Sequence, residues 1–236
     1  MSGAPDITEI LSGVTRSFRW SHLIDITHIW RYDRQIWGTQ SPEVSLLHEL
    51  GGPQVREARL IRMIDNRGMA NPVFREVISA ISNFVTAAKD FTSLQKFSVG
   101  LIACRLPYYN WVGFYMLDPG DDSILVLGPF HGAPTDHVRI PVTEGICGAA
   151  VAQGETVIVE DVSSDPRYLS CSIETKSEIV VPIRVKGKIR GEIDIDSHLR
   201  NAFGAEDRSF LEECAAVFGQ FLERQDKSAA RAVAAK

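Results

Sequence analysis

The chain has 236 residues, 44% of them hydrophobic and 23% charged, as expected for a globular protein with one ordinary domain plus additional material or two small domains. Its net charge of −5 and its lack of a basic run disfavour nucleic acid and anionic membranes as partners. No apolar stretch is long enough to cross a bilayer and no secretory signal pattern is present, so the sequence predicts a cytoplasmic location.

Residues 1–70 differ from the rest of the chain. They carry no clean hydrophobic periodicity and no chemistry-bearing motif, and a break at Gly51, Gly52 and Pro53 interrupts them. We interpret residues 1–70 as an N-terminal extension, either poorly ordered or upstream of the native start. The natural product is then expected to begin near Met63 or Met69, which mass spectrometry of the native N-terminus would test.

Regular patterning begins at Asn71, a predicted N-cap followed by Pro72 at the first helical position. Apolar residues at helical spacing predict one helix in "NPVFREVISAISNFVTAAK" and a second in "TSLQKFSVGLIACRL". Cys104 lies on the apolar stripe of the second helix, so we interpret it as a small core residue.

Strand patterns dominate the middle of the chain. A hairpin is predicted from "NWVGFYML" and "SILVLGPF", followed by a short strand in "DHVRIPV". "GICGAAVAQGE" predicts a short helix ending at glycine, and "TVIVED" a further strand. A long polar loop carrying Cys171 comes next, and two strands follow it, "EIVVPIRV" and "KIRGEIDIDS".

A last amphipathic helix, "AEDRSFLEECAAVFGQFLERQ", places Cys214 on its core face. Residues 226–236 are expected to form a fraying C-terminal tail. The order of helices and strands predicts an α+β domain over residues 71–225, built on an antiparallel sheet.

Three carboxylates are expected to meet in the predicted hairpin of the two late strands. Matching their apolar faces requires Val181 to pair with Ile193, which we expect from a three-residue turn at 186–188 and not from a two-residue turn. Glu178 then lies opposite Asp196, and Asp194 shares their face, with opposed Cβ atoms about 4.5–5.5 Å apart. Facing carboxylates raise at least one pKa of the group.

This acidic cluster has three alternative interpretations. It suits an ammonium group, or a proton held for a developing negative oxygen. The alternative is a solvated strand face whose charges have no role. Three carboxylates would also suit a hard cation. No loop signature supports such a site and no His/Cys cluster has zinc-ligand spacing, so we predict no metal site.

Six segments in order, "NWVGFY", "LGPFHG", "GICGAAV", "VEDV", "CSIETKSEIVVPI" and "GEIDIDS", resemble the free methionine-(R)-sulfoxide reductases, which are single-domain GAF proteins. The resemblance covers about two-thirds of the chain. It implies a GAF-like antiparallel sheet with helices packed on one face and a ligand pocket under loops on the other. The GAF fold alone would say little about function, whereas the loop cysteine with SEIVVP and DIDS is specific.

The resemblance implies a reaction and roles for named residues. Cys171 attacks the sulfur of free methionine-(R)-sulfoxide, methionine leaves, and a cysteine sulfenic acid remains. A second cysteine resolves it to a disulfide, and a thioredoxin-type external thiol regenerates the protein without a bound cofactor. Residues implied to hold the substrate amine or polarise its oxygen are Glu178, Asp194 and Asp196, and residues implied to wall the pocket are Trp111 and Tyr115.

The chain departs from the family at the partner thiol. The family usually has a cysteine where His137 stands, before "VRI", and that cysteine commonly forms the disulfide. The second family cysteine is present as Cys147, so either Cys147 resolves the sulfenic acid or an external thiol reduces it directly. His137 is then either an auxiliary group that helps form the Cys171 thiolate or an edge-strand surface residue. Cys147 is otherwise a small residue packed at a helix start.

Two other functions stay open from the sequence: a non-catalytic GAF module for a small amino-acid-like ligand, and a thiol redox switch that uses Cys171 and Cys147. The resemblance further implies a homodimer. Turnover of free methionine-(R)-sulfoxide separates the enzyme from both alternatives.

Overall fold

The described part of the chain, residues 71–169 and 172–234 of a computed structural model, contains four α-helices and six strands. The extension proposed for residues 1–70 lies outside it, and so does Cys171. The helices are α1 (Pro72–Phe84), α2 (Phe91–Arg105), α3 (Gly145–Gln153) and α4 (Ala205–Ala234), and the strands are β1 (Trp111–Asp118), β2 (Asp121–His131), β3 (Arg139–Pro141), β4 (Val157–Val159), β5 (Ser177–Val185) and β6 (Lys188–Ser197).

The helix boundaries follow from capping residues. Asn71 caps α1 as predicted, because its side-chain oxygen accepts a hydrogen bond from the Val73 N–H at 2.9 Å. Asp90 caps α2 in the same way through the Ser93 N–H at 2.7 Å. Helix α3 ends at Gly154, whose φ of 65° closes the helix in the left-handed conformation that glycine adopts without strain.

All six strands form one antiparallel sheet in the order β3-β2-β1-β6-β5-β4. Helices α1, α2 and α4 pack on one face over the larger apolar core. Helix α3 and the loops cover the other face, where a second and smaller apolar cluster lies. The predicted α+β architecture is therefore confirmed. No helix among the described residues is long and apolar enough to span a membrane.

The β5–β6 hairpin has the predicted pairing but not the predicted turn. Its turn has two residues, Lys186 and Gly187, both at positive φ. A register shift after Ile183 then leaves Arg190 as an extra residue, so that Val181 still faces Ile193. The expectation that a two-residue turn is incompatible with this register was wrong, because a β-bulge restores the match between apolar faces.

The last helix is longer than predicted. Cys214 is fully buried in it, as expected, but α4 continues to Ala234 and does not end near Gln225. The extra turns are rich in alanine, the best helix former, and a Glu223–Lys227 ion pair of 2.8 Å supports them. Cys104 in α2 is only partly buried, because the more buried side of this helix carries Ile102 and Ala103.

Gly219 lets α4 lie directly on the sheet. A Cβ at this position would overlap the carbonyl oxygen of Arg184 in β5. We expect Gly219→Ala to lower the free energy of unfolding by about 1–3 kcal/mol, since backbone must move to accept the methyl group.

Gly100→Ala in α2 is the control, because nothing lies within 4 Å of its added Cβ. There the gain in helix propensity should stabilise the protein by up to about 1 kcal/mol. Urea unfolding of both variants measures the contrast, and equal effects would contradict it.

Candidate functional site

The three predicted carboxylates meet on the face of the sheet beneath α3. In the β5–β6 pairing, Glu178 lies opposite Asp196 and Val180 opposite Asp194, as the apolar alternation predicts. Strand β1 runs along the other side of β6 and places Trp111 beside Asp196. The arrangement is set by ladder hydrogen bonds of three adjacent strands, so the relative positions of these side chains are fixed by the sheet.

Burial excludes the reading of this cluster as a solvated strand face. The exposed fractions of Glu178, Asp194 and Asp196 are 5%, 4% and 4%. Desolvation and mutual repulsion both disfavour ionised carboxylates in such surroundings. A group of acids in this position is costly unless it binds protons or a positively charged ligand.

A fourth acid, Glu192, belongs to the same cluster and was not among the predicted site residues. Its exposed fraction is 0%, and neither carboxylate oxygen has a hydrogen-bond partner within the described residues. It lies opposite Tyr115 on β1 and Pro182 on β5. The sequence carried a signal for it, because alternation along β6 puts residue 192 on the same face as Asp194.

Helix α3 brings a thiol to these acids. Cys147 is buried in its first turn, and its Sγ–H donates to Oδ2 of Asp194 across 3.6 Å. Burial raises the pKa of the Cys147 thiol well above its ordinary value, and the negative charges of Asp194 and Glu192 add to this effect. Cys147 is therefore held as a protonated thiol, in contact with the cluster and not separate from it.

The pKa values of all four carboxyl groups are raised. Burial raises the pKa of Asp194 to about 7, while hydrogen bonds from Cys147 and the Ile195 backbone act in the opposite direction. Burial is also the main cause of the raised pKa of Glu178 and of Asp196, with the charge of Asp194 next. At neutral pH the cluster thus holds protons that it can give to a ligand.

The raised pKa values predict that stability falls with rising pH. Below the unfolded-state pKa of Asp194, near 3.8, this carboxyl is protonated in both the folded and the unfolded state. As pH rises from there through about 7, the unfolded chain releases the proton that the folded protein still holds, so the free energy of unfolding falls across this range. Glu192 contributes in the same direction, because burial raises its pKa. Glu192→Met removes this cost while keeping a side chain of similar length. It should stabilise the protein by about 1–3 kcal/mol at pH 8.

At pH 5 the same substitution should gain much less, because this pH is close to the ordinary pKa of 4.5 and the unfolded chain then gains little by ionising Glu192. Thermal unfolding at both pH values measures the difference. The control is Glu160→Met at an exposed position, which should give the same small shift at each pH. A Glu192→Met gain that does not depend on pH would show that the residue is not a buried acid.

Aromatic side chains line the β1 side of the cluster. Trp111 stacks on Phe130 at a ring-centroid distance of 5.5 Å and donates through Nε1 to the Ala133 carbonyl at 3.0 Å. The Tyr115 hydroxyl donates to the backbone carbonyl of His137 at 2.8 Å. Trp111 and Tyr115 thus hold the segment before β3 against the sheet. His137 is half-buried in that segment and precedes β3, so it is not an edge-strand residue.

The loop that carries Cys171 is attached to the cluster on its C-terminal side. The Thr175 hydroxyl donates to Oδ2 of Asp196 at 3.4 Å, and the Lys176 N–H donates to the Ser197 carbonyl at 2.8 Å. Thr175 is four residues from Cys171, so the thiol predicted as the nucleophile is tethered within a short chain length of Asp196.

Among the described residues the four acids are buried and do not line an open cleft. A surface groove of about 380 Å³ lies on the outer side of α3, between Gly145 and Arg167, and none of the four acids borders it. Cys147, Glu178 and Asp194 offer one sulfur and two oxygen atoms, all within 4.8 Å of one another, and are the described residues placed to hold a cation.

A six-stranded antiparallel sheet with helices on one face and a buried polar site on the other defines a class of domain. A family model described as "GAF domain" matches residues 89–223, and the chain belongs to this family. Within the family it is similar to the Escherichia coli protein named free methionine-R-sulfoxide reductase, with 42% identity over 122 residues, covering 52% of this chain and 72% of that one.

Solved structures of free methionine-R-sulfoxide reductases also align with this chain. The free methionine-R-sulfoxide reductase of Neisseria meningitidis in complex with its substrate aligns with a TM-score of 0.61 and 34% identity, covering 65% of this chain and 91% of that chain. The type II free methionine-R-sulfoxide reductase of Thermoplasma acidophilum aligns with a TM-score of 0.53 and 38% identity, covering 61% and 96%. The predicted family resemblance is confirmed.

Proposed function

We propose that this protein reduces free L-methionine-(R)-sulfoxide to methionine with an external thiol as reductant. The observation that carries the proposal is the buried acidic cluster of Glu178, Asp194 and Asp196, which Thr175 contacts, in a chain similar to proteins named for this activity. Such a cluster suits a small zwitterion that brings an ammonium group and a basic sulfoxide oxygen into one site.

The two polar groups of the substrate need opposite protonation states from the acids. An ionised carboxylate pairs with the ammonium group, and a protonated carboxyl donates to the sulfoxide oxygen. A cluster in which Asp194 titrates near pH 7 and its neighbours titrate above their ordinary range supplies both forms at neutral pH. Trp111 and Tyr115 supply the apolar wall for the methyl group.

The proposed chemistry transfers one oxygen atom to the protein. The Cys171 thiolate attacks the sulfoxide sulfur while an acid of the cluster protonates the oxygen. In the resulting adduct the Cys171 sulfur and the hydroxyl group are both bonded to the substrate sulfur. The hydroxyl then moves to the Cys171 sulfur as the S–O bond of the substrate and the new S–S bond break, so that methionine leaves and Cys171 becomes a sulfenic acid. A second thiol then displaces this oxygen as water and forms a disulfide. Two electrons from a thioredoxin-type dithiol restore both thiols.

Cys147 is the proposed resolving thiol, because among the described cysteines it is the one in contact with an acid of the cluster. Asp194, within 3.6 Å of its sulfur, is positioned to accept the thiol proton. His137 occupies the place of the other family cysteine, and its proposed part is limited to helping form the Cys171 thiolate.

Cys147→Ser should separate the two halves of the cycle. With dithiothreitol, which reduces a sulfenic acid directly, we expect the turnover rate to fall less than threefold. With thioredoxin and its reductase, the rate should fall about tenfold or more, since no intramolecular disulfide forms for thioredoxin to reduce. Peptide mapping of the unmodified protein after turnover should find a Cys147–Cys171 disulfide. Equal losses with both reductants would contradict the assignment.

The proposal is tested by incubating the purified protein with free L-methionine-(R)-sulfoxide and dithiothreitol and quantifying methionine. Formation of methionine is expected from this isomer, and little from the (S)-sulfoxide or from a peptide that contains methionine sulfoxide. No methionine formed would reject the reductase. Binding of the sulfoxide without turnover would instead identify a ligand-binding GAF module. A light-scattering mass in the same buffer tests the predicted homodimer.

A further inference from the structure

A thiol and two carboxylates converge in the acidic cluster with the spacing of a metal site. The Sγ of Cys147 and Oδ2 of Asp194 are 3.6 Å apart, and an oxygen of Glu178 completes a set within 4.8 Å. In a tetrahedral zinc site with Zn–S of about 2.3 Å and Zn–O of about 2.0–2.2 Å, sulfur and oxygen ligands lie about 3.5 Å apart. One pair of ligand atoms already has this separation.

An independent observation points to a missing positively charged partner. Both oxygens of Glu192 and Oδ1 of Asp194 are buried without a hydrogen-bond partner among the described residues. Glu192 lies two residues before Asp194 in β6 and so shares its face of the sheet, and its negative charge acts on the thiol of Cys147. Buried, unpartnered acceptors are uncommon in native proteins, and each one calls for an explanation.

The donor set selects the kind of ion. A thiolate with carboxylates is a mixed soft and hard set that zinc accepts, whereas magnesium and calcium prefer oxygen ligands alone. We propose that Cys147, Glu178 and Asp194 bind a zinc ion, and that the buried charge of Glu192 beside them favours the cation. Sequence spacing conceals such a site, because its ligands come from α3, β5 and β6.

The consequence for the proposed reductase is inhibition, and this part rests on the proposed function. Zinc occupies two carboxylates that the substrate needs and binds the thiol that resolves the sulfenic acid. Zinc and methionine sulfoxide therefore exclude each other. A cell with raised free zinc would lose the reductase activity until the ion was removed.

The test measures zinc directly on the full-length, reduced protein. Equilibrium dialysis with atomic absorption should find one zinc per chain, with no retention of magnesium. Cys147→Ser should weaken zinc binding at least tenfold, while Cys104→Ser and Cys171→Ser should retain it. Glu192→Gln is the second variant, which leaves the thiol in place and should also weaken binding. Cobalt in place of zinc should give a thiolate charge-transfer absorption that Cys147→Ser removes.

The outcomes separate the two proposals. Zinc binding is measured without substrate, so the result tests the zinc site whether or not the protein is a reductase. If zinc binds as expected, added methionine sulfoxide should lower the apparent zinc affinity, whether or not the sulfoxide turns over. The zinc site is overturned if no zinc is retained, or if Cys147→Ser binds zinc as tightly as the unmodified protein.

Discussion

Replacing Cys171 by serine is expected to lower the rate of methionine formation by about a thousandfold or more, to the level of the reaction without protein. The step requires a nucleophile that attacks sulfur and then accepts oxygen. A thiolate does both, whereas a serine hydroxyl is neither ionised at neutral pH nor oxidised to an equivalent of sulfenic acid. Substrate binding should persist, because the acidic cluster is untouched.

The matched control is Cys104→Ser, the same atomic change at a partly buried cysteine in α2, on the opposite face of the sheet from the acids. Its rate should stay within twofold of the unmodified protein. Methionine is measured by chromatography, and sulfoxide binding by calorimetry. A Cys171→Ser protein that keeps its activity would remove the loop thiol from the mechanism and leave Cys147 as the nucleophile to test.

The pairing of the acids could be predicted from the sequence because alternation leaves little freedom. Ile193 and Ile195 must face the helices, and a slip by one residue would bury Asp194 among them. That constraint alone places Glu178 opposite Asp196. The family resemblance added the roles of the residues, which strand alternation does not contain.

The details that were missed depend on local or tertiary contacts. The extra residue at Arg190 has no sequence signature, since a bulge and a longer turn give the same distant register. Glu192 shares the face of the other acids, but only the cover supplied by α3 shows that it is buried. Cys147 and Asp194, whose side chains are in contact, are 47 residues apart in sequence, and hydrophobic periodicity does not predict such a contact.

Replacing Glu178 by glutamine is expected to lower kcat/KM for free methionine-(R)-sulfoxide by about 30- to 4000-fold. Removing one partner of a buried, charge-assisted contact costs about 2–5 kcal/mol, and each 1.4 kcal/mol is a factor of ten. Glutamine has nearly the same shape but can neither ionise to pair with the ammonium group nor give a proton to the sulfoxide oxygen. The loss therefore follows whichever of the two groups Glu178 contacts.

Stability should change in the opposite direction from activity. Burial and the charge of Asp194 raise the pKa of Glu178, so its ionisation opposes folding as pH rises above its unfolded-state value. Glu178→Gln should consequently raise the unfolding temperature at pH 8 and have little effect at pH 4. A variant that is inactive because it is misfolded would show a lower unfolding temperature at both pH values.

Glu160→Gln is the control for the change in charge, because Glu160 directly follows β4, the neighbour of β5, and is exposed. Its kcat/KM should stay within twofold of the unmodified protein and its unfolding temperature should be nearly unchanged. If Glu178→Gln kept full kcat/KM while gaining stability at pH 8, Glu178 would lower the stability of the protein without contacting the substrate. The ammonium and oxygen of the substrate would then have to be bound by Asp194 and Asp196 alone.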